Sequence, residues 1–138
     1  GLEQQHVHYT TLERVLAQSD YLSLHCPLTA ETQHIIDHNA LKKMKPSAFL
    51  INTARGPLVD QKALEEALLE GRLAGAGLDV QEQEPLPEDS LLYQLDNVIL
   101  TPHMGWKGLE TRIRLMRMLR ENITAYLLGT PIHVVSEG

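Results

Sequence analysis

The chain has one cysteine in 138 residues, so Cys26 can form neither an intrachain disulfide nor a thiolate metal cluster. No block of lysine or arginine occurs, and 12 basic against 18 acidic residues leave a formal net charge of -6. Such a chain lacks the electrostatic footprint of a nucleic-acid partner. No apolar run approaches the roughly 20 residues of a membrane span, and Gly1 to Thr10 does not read as a signal peptide. A cytoplasmic protein is expected. There are no repeats and no low-complexity tract, no Gly-x-Ser-x-Gly context around Ser23 or Ser47, and no His-Glu-x-x-His site. His34 and His38 lie four apart and His6 and His8 two apart, but position 35 is Ile35, so both pairs read as solvated surface histidines. A Gly-x-Gly-x-x-Gly turn is missing too: Gly75 and Gly77 begin one, but its third glycine would fall at Val80, and the segment enters a strand.

What is present is a regular alternation of strand and helix patterns, the mark of βαβ units around a parallel sheet. At 43% hydrophobic, the chain has enough apolar residues for one domain core, or part of one. Val7 to Tyr9 reads as a short strand, and Thr10 with Glu13 as a capping box opening a helix over Leu12, Val15 and Leu16. Tyr21 to Cys26 is the next strand, stopped by Pro27. Thr29 to Asp37 and Asn39 to Lys45 read as short helical turns ending before Pro46. Ser47 to Asn52 is a strand, Asp60 caps a helix from Gln61 to Glu70, and Gly71 stands as its terminating glycine. Ala74 to Val80 is a strand rich in small residues, Gln81 to Asp89 a loop, Ser90 to Leu95 a brief helix and Asn97 to Thr101 a strand. A long amphipathic helix from about Lys107 to Leu128 puts Ile113, Met116, Leu119, Ile123 and Leu127 on one face, which suits a core or subunit contact. Four arginines spread around that helix, at positions 112, 114, 117 and 120, argue against a membrane-lying face.

Three polar residues stand where apolar strands give way to loops, at the carboxyl ends where open α/β sheets hold their ligands. Arg55 follows Ile51-Asn52-Thr53-Ala54, and its planar guanidinium can take a carboxylate through two parallel hydrogen bonds. His103 follows Thr101-Pro102, whose proline restricts the backbone that aims the imidazole, a group able to exchange a proton near neutral pH. Glu84, before Pro85, can orient that ring and favour its protonated form. Each residue alone has a plain structural reading, as an ion-pair partner or a solvated acid. The three together describe a site that holds an acid and moves a proton beside it.

The text around them resembles the D-isomer-specific 2-hydroxyacid dehydrogenases, a family that includes phosphoglycerate, glycerate and D-lactate dehydrogenases. The likeness runs through Ser19-Asp20, Leu24-His25-Cys26-Pro27-Leu28-Thr29, Met44-Lys45-Pro46 and Ile51-Asn52-Thr53-Ala54-Arg55-Gly56. It continues through Ala74-Gly75-Ala76-Gly77-Leu78-Asp79-Val80, Glu84-Pro85 and Asn97-Val98-Ile99-Leu100-Thr101-Pro102-His103. The resemblance implies an α/β fold, a partial Rossmann-type parallel sheet with flanking helices, corresponding to the second half of a dinucleotide-binding domain over residues 1–138. It implies that Arg55 binds the substrate carboxylate, His103 exchanges the proton and Glu84 supports His103. Cys26, Pro27, Thr53, Ala54 and Asp79 would line the cofactor, NAD or NADP, with Asp79 beside the nicotinamide carboxamide. The substrate would be a small 2-oxo or 2-hydroxy acid, and Trp106 in His103-Met104-Gly105-Trp106 resembles glycerate or hydroxypyruvate-reducing members. The family's glycine-rich first half and substrate domain have no counterpart here, so a truncated oxidoreductase is expected, with weak cofactor binding and very low activity alone. A noncatalytic interaction or regulatory module keeping the fold is the alternative. With no first strand beside it, the Tyr21 to Cys26 edge is expected to be buried in a homodimer or larger assembly, by a second copy or by a rearranged N-terminal segment.

Overall fold

A computed structural model describes residues 7–135. Gly1 to His6, which hold most of the amino-terminal stretch read for a signal peptide and one histidine of the His6/His8 pair, lie outside the described residues, as do residues 136–138. The chain divides into two compact units, Gly1–His103 and Met104–Gly138. In the first, helix α1 (Leu12–Gln18) precedes strand β1 (Tyr21–Leu24), then α2 (His38–Lys43), β2 (Phe49–Asn52), α3 (Gln61–Leu69), β3 (Gly75–Leu78) and β4 (Val98–Leu100). A 3-10 turn at Gly56–Leu58 follows β2, and another at Leu91–Gln94 precedes β4. The second unit carries α4 (Leu109–Leu127).

The four strands pair in parallel in the order β1-β2-β3-β4, with Tyr21 opposite Phe49, Phe49 opposite Gly75, and Ala76 opposite Val98. Parallel order puts every strand's carboxyl end at one edge of the sheet, so Arg55, Glu84 and His103 all emerge there. Because each crossover steps the same way along the sheet, right-handed connections bring the intervening helices to one face. That face is apolar by the period-two rule: Leu22, Leu24, Leu50, Ala76 and Leu78 are buried with Leu41 of α2 and Leu64 and Leu68 of α3. On the opposite face Tyr21 is 71% exposed, stacked on Phe49 with ring centroids 5.5 Å apart, and Ile99 is 72% exposed.

The elements end where their chemistry ends them. Asp60 accepts from Ala63 N at 3.0 Å to open α3, and Gly71, at a φ of 67°, lies just beyond its end, as read from the sequence. Gly75 has no room for a side chain: a Cβ there would lie 2.6 Å from Asn97 O and 2.8 Å from the Phe49 ring. Both Gly75 and Gly77 sit inside β3, in keeping with the reading that they are not a phosphate-holding turn.

Three expectations need correction. Val7 to Tyr9 is not a strand, since no partner strand among the described residues reaches it; Val7 and Tyr9 are exposed. Thr11, not Thr10, caps α1, accepting from Arg14 N at 3.4 Å, and this shift by one residue puts Arg14 where a capping box would need an acid. The β1 ladder ends at Leu24 instead of Cys26, because its last partner, Asn52, is where β2 turns away. The segment before Asp37 forms hydrogen-bonded turns, as read from the sequence, and Ile36 makes an isolated bridge to Val59. In the second unit α4 begins at Leu109, and none of its residues is buried. No helix among the described residues is long and apolar enough to cross a membrane.

Candidate active site

His103 and Glu84 meet directly: His103 Nδ1 lies 2.8 Å from Glu84 Oε2. An ionised carboxylate only accepts, so the shared proton belongs to Nδ1, and Nε2 is left as the nitrogen that can exchange a proton with a ligand. The other Glu84 oxygen, Oε1, accepts from Gln81 N at 3.0 Å. Both carboxylate oxygens are thus held, and the ring's orientation is held with them. The His103 hydrogen bond, helped by the Gln81 amide and opposed by partial burial, keeps the Glu84 carboxyl below its ordinary range. Because the folded value is the lower one, the stabilisation from Glu84 is in place above the ordinary carboxylate range and is lost as pH falls through the depressed value. It stays small, since Glu84 keeps 35% of its side-chain exposure and solvent screens the pair.

The backbone at His103 is set for this contact. Its φ of 49° is left-handed, uncommon for a residue with a side chain, and its amide donates to Thr101 O at 3.0 Å. Thr101 Oγ1 in turn donates to Asp79 Oδ1, while Thr101 N donates to Leu78 O at 3.0 Å. The ends of β3 and β4 are therefore tied together beneath the His103–Glu84 pair. A concavity of about 320 Å³ opens beside the pair, lined by Gln81, Glu84, Leu86, Tyr93, Thr101 and His103 among others.

Arg55 lies across the same sheet edge, after β2. It is exposed, with Nη1 donating to Ala54 O at 2.7 Å. An open concavity of about 700 Å³ is lined by His25, Cys26, Pro27, Leu28, Ala54 and Arg55. Three of the expected cofactor-lining residues, Cys26, Pro27 and Ala54, therefore share one depression with the candidate carboxylate anchor. Thr53 is exposed next to Ala54 and is not part of that lining. Asp79 is only 6% exposed and receives the Thr101 hydroxyl. Small and apolar groups at strand ends with a polar rim suit the nicotinamide end of a dinucleotide. The two concavities have no lining residue in common.

Residues 1–105 match the family model described as D-isomer specific 2-hydroxyacid dehydrogenase, NAD binding domain. The chain belongs to this family. Among its dehydrogenase relatives, the glyoxylate reductase of Korarchaeum cryptofilum is 53% identical over 123 residues, covering 89% of this chain and 37% of that protein. The hydroxypyruvate reductase of Blautia hydrogenotrophica is 40% identical over 137 residues, covering 99% of this chain and 42% of that protein. The D-lactate dehydrogenase of Lactobacillus jensenii, solved with NAD+, superposes with a TM-score of 0.85 at 34% identity, over 94% of this chain and 43% of its own. The chain thus spans less than half the length of these relatives.

The sequence reading missed the residues that hold the three candidates in place. Asn52 is 1% exposed and bonds to the Ala54–Arg55 turn. Gln81 is 8% exposed, and its amide holds Glu84. Gly56 lies against the Gln81 backbone. Asn52 had a visible signal: it is a polar residue in the same period-two row as buried Leu50. Gln81 holds Glu84 from three residues away in the same loop, whereas the role of Gly56 depends on the approach of two loops distant in sequence. The structure also brings His34 Nε2 to 2.7 Å from Glu82 Oε1, an exposed pair beside the start of α3.

Proposed function

We propose that this chain carries the proton-transfer and carboxylate-binding residues of an NAD(P)-dependent oxidoreductase that interconverts a D-2-hydroxy acid and a 2-oxo acid. The observation that carries the reading is the His103–Glu84 contact of 2.8 Å at the sheet edge that also presents Arg55. Arg55 takes the substrate carboxylate, and its fork fixes which way the adjacent carbonyl points. Cys26, Pro27, Thr53 and Ala54 line the cofactor, with Asp79 beside the nicotinamide carboxamide, and the cofactor when bound supplies the hydride. His103 Nε2 gives its proton to the carbonyl oxygen in the reductive direction and recovers it in the reverse. Glu84 orients the ring and balances the positive charge on protonated His103. Glyoxylate and hydroxypyruvate, small 2-oxo acids named for the reductase relatives, are the substrates to try first.

The 138-residue sequence contains no glycine-rich turn opening a helix, the usual seat for a pyrophosphate. Calorimetry of this chain should therefore show little heat with micromolar NADH or NADPH, and turnover of either acid should be very low. Saturable NADH oxidation with glyoxylate by the 138-residue chain would refute that expectation. The same assay on a protein of the relatives' full length that contains this chain tests the function itself, which is refuted if no 2-oxo acid in a panel is reduced.

We also infer self-association in the cytoplasm, through the β1 edge and the Tyr21–Phe49 face. Among the described strands β1 has a neighbour on one side, and its sequence carries no lysine to discourage pairing. The test belongs at Tyr21, because Leu24 is buried in the core and a lysine there would disrupt folding whatever the assembly. Sedimentation at micromolar concentration should give a dimer or larger species that Tyr21→Lys dissociates; a monomeric parent chain would end the idea.

A further inference from the structure

Asn52 sits at the last residue of β2 with 1% exposure, in register with Leu24 on one side and Leu78 on the other. A polar side chain so deeply buried is tolerated only when its donors and acceptors are met. Both ends of its amide turn to one loop: Oδ1 accepts from Ala54 N at 3.1 Å, and Nδ2 donates to Arg55 O at 2.9 Å. Its main-chain oxygen accepts from Asp79 N at 2.9 Å, which anchors Asn52 to the end of β3. Arg55 O also receives Leu58 N, at 3.3 Å, from the 3-10 turn that follows. The guanidinium then folds back on the same loop through its 2.7 Å bond to Ala54 O. One buried amide therefore ties the Thr53–Ala54 peptide and the Arg55–Gly56 peptide, which bracket the Ala54–Arg55 bond, to the sheet.

We propose that Asn52 is the positioning residue for Arg55, fixing the backbone from which the guanidinium is presented to a substrate carboxylate. No other neutral side chain of this size offers both a donor and an acceptor across the turn. Alanine offers neither, and serine can copy only the bond to Ala54 N. The inference rests on the reading of Arg55 as the carboxylate anchor, but the clamp itself can be observed without any ligand.

The test is solution NMR of the labelled 138-residue chain, following the Arg55 Nε–Hε signal and the Ala54 amide, with oxamate as the carboxylate probe. In the parent chain the Arg55 signal should be ordered. Asn52→Ala, which removes both side-chain hydrogen bonds to the turn, should increase its motion and weaken oxamate binding by about tenfold. Asn52→Ser should recover part of both, and it serves alone if the alanine variant does not fold. Arg55→Lys should abolish the oxamate response while leaving the Ala54 amide protected. Unchanged Arg55 motion in folded Asn52→Ala and Asn52→Ser would overturn the clamp. Oxamate binding equally well to Arg55→Lys, or not at all to the parent chain, would instead refute the carboxylate reading, with the motion of Arg55 still deciding the role of Asn52.

Discussion

Replacing His103 by glutamine, in a protein of the relatives' full length that contains this chain, should lower kcat by about two to four orders of magnitude, the worth of a positioned general acid–base. KM for the 2-oxo acid should change little, because His103 is not the group that holds the carboxylate. Glutamine keeps a hydrogen-bonding head but has no proton to give at neutral pH. Arg55→Lys should produce the opposite split, raising KM by about ten- to a hundredfold through loss of a charge-assisted bond and its fork geometry, with a smaller effect on kcat. Glu84→Gln should fall between these, since the 2.8 Å contact to Nδ1 persists in form while the charge facing the imidazole is gone. Steady-state kinetics on the three variants with glyoxylate or hydroxypyruvate measures all of this. If His103→Gln and Arg55→Lys gave the same mild loss in both constants, the assignment of roles would be wrong.

The site was legible in the sequence to the extent that strand periodicity reveals it. Ile51, Leu78 and Leu100 end apolar runs, and a parallel sheet carries whatever follows them to one edge; Arg55, Glu84 and His103 could be placed there from the sequence. Asp60 and Gly71 marked their helix because capping chemistry is local to a few residues. The errors came where a neighbour decides the outcome. Val7 to Tyr9 has strand-forming residues but no strand beside it, and an extended segment without a partner leaves its backbone groups to water. On pattern alone Glu13 favours Thr10 as the cap, and only the path of the chain selects Thr11. The bond from Gln81 N to Glu84 is short-range, yet the place of the Gln81 peptide against Gly56 spans 25 residues and has no local signature.

That long-range contact leads to the largest stability effect expected in the chain. A Cβ at Gly56 would lie 1.8 Å from Gln81 O, 2.1 Å from its carbonyl carbon and 2.6 Å from Glu82 N, all backbone atoms that cannot swing aside. Gly56→Ala must therefore push apart the turn that carries Arg55 and the loop whose Gln81 amide holds Glu84, at a cost of about 3 kcal/mol or more. Gly77 is the matched control, because a Cβ there meets nothing within 4 Å. Gly77→Ala, within β3, should be neutral or stabilising by about 0.5–1 kcal/mol, since alanine loses less backbone freedom on folding. Denaturant unfolding of the two variants should separate their midpoints widely, and equal midpoints would show that the two loops are not in the contact described. The displacement also reaches the chemistry. A shift of about 1 Å between the carboxylate anchor and the proton donor can cost on the order of a hundredfold in rate. In a protein of the relatives' full length that contains this chain, any Gly56→Ala variant that still folds at low temperature should thus lose turnover, whereas Gly77→Ala should keep it.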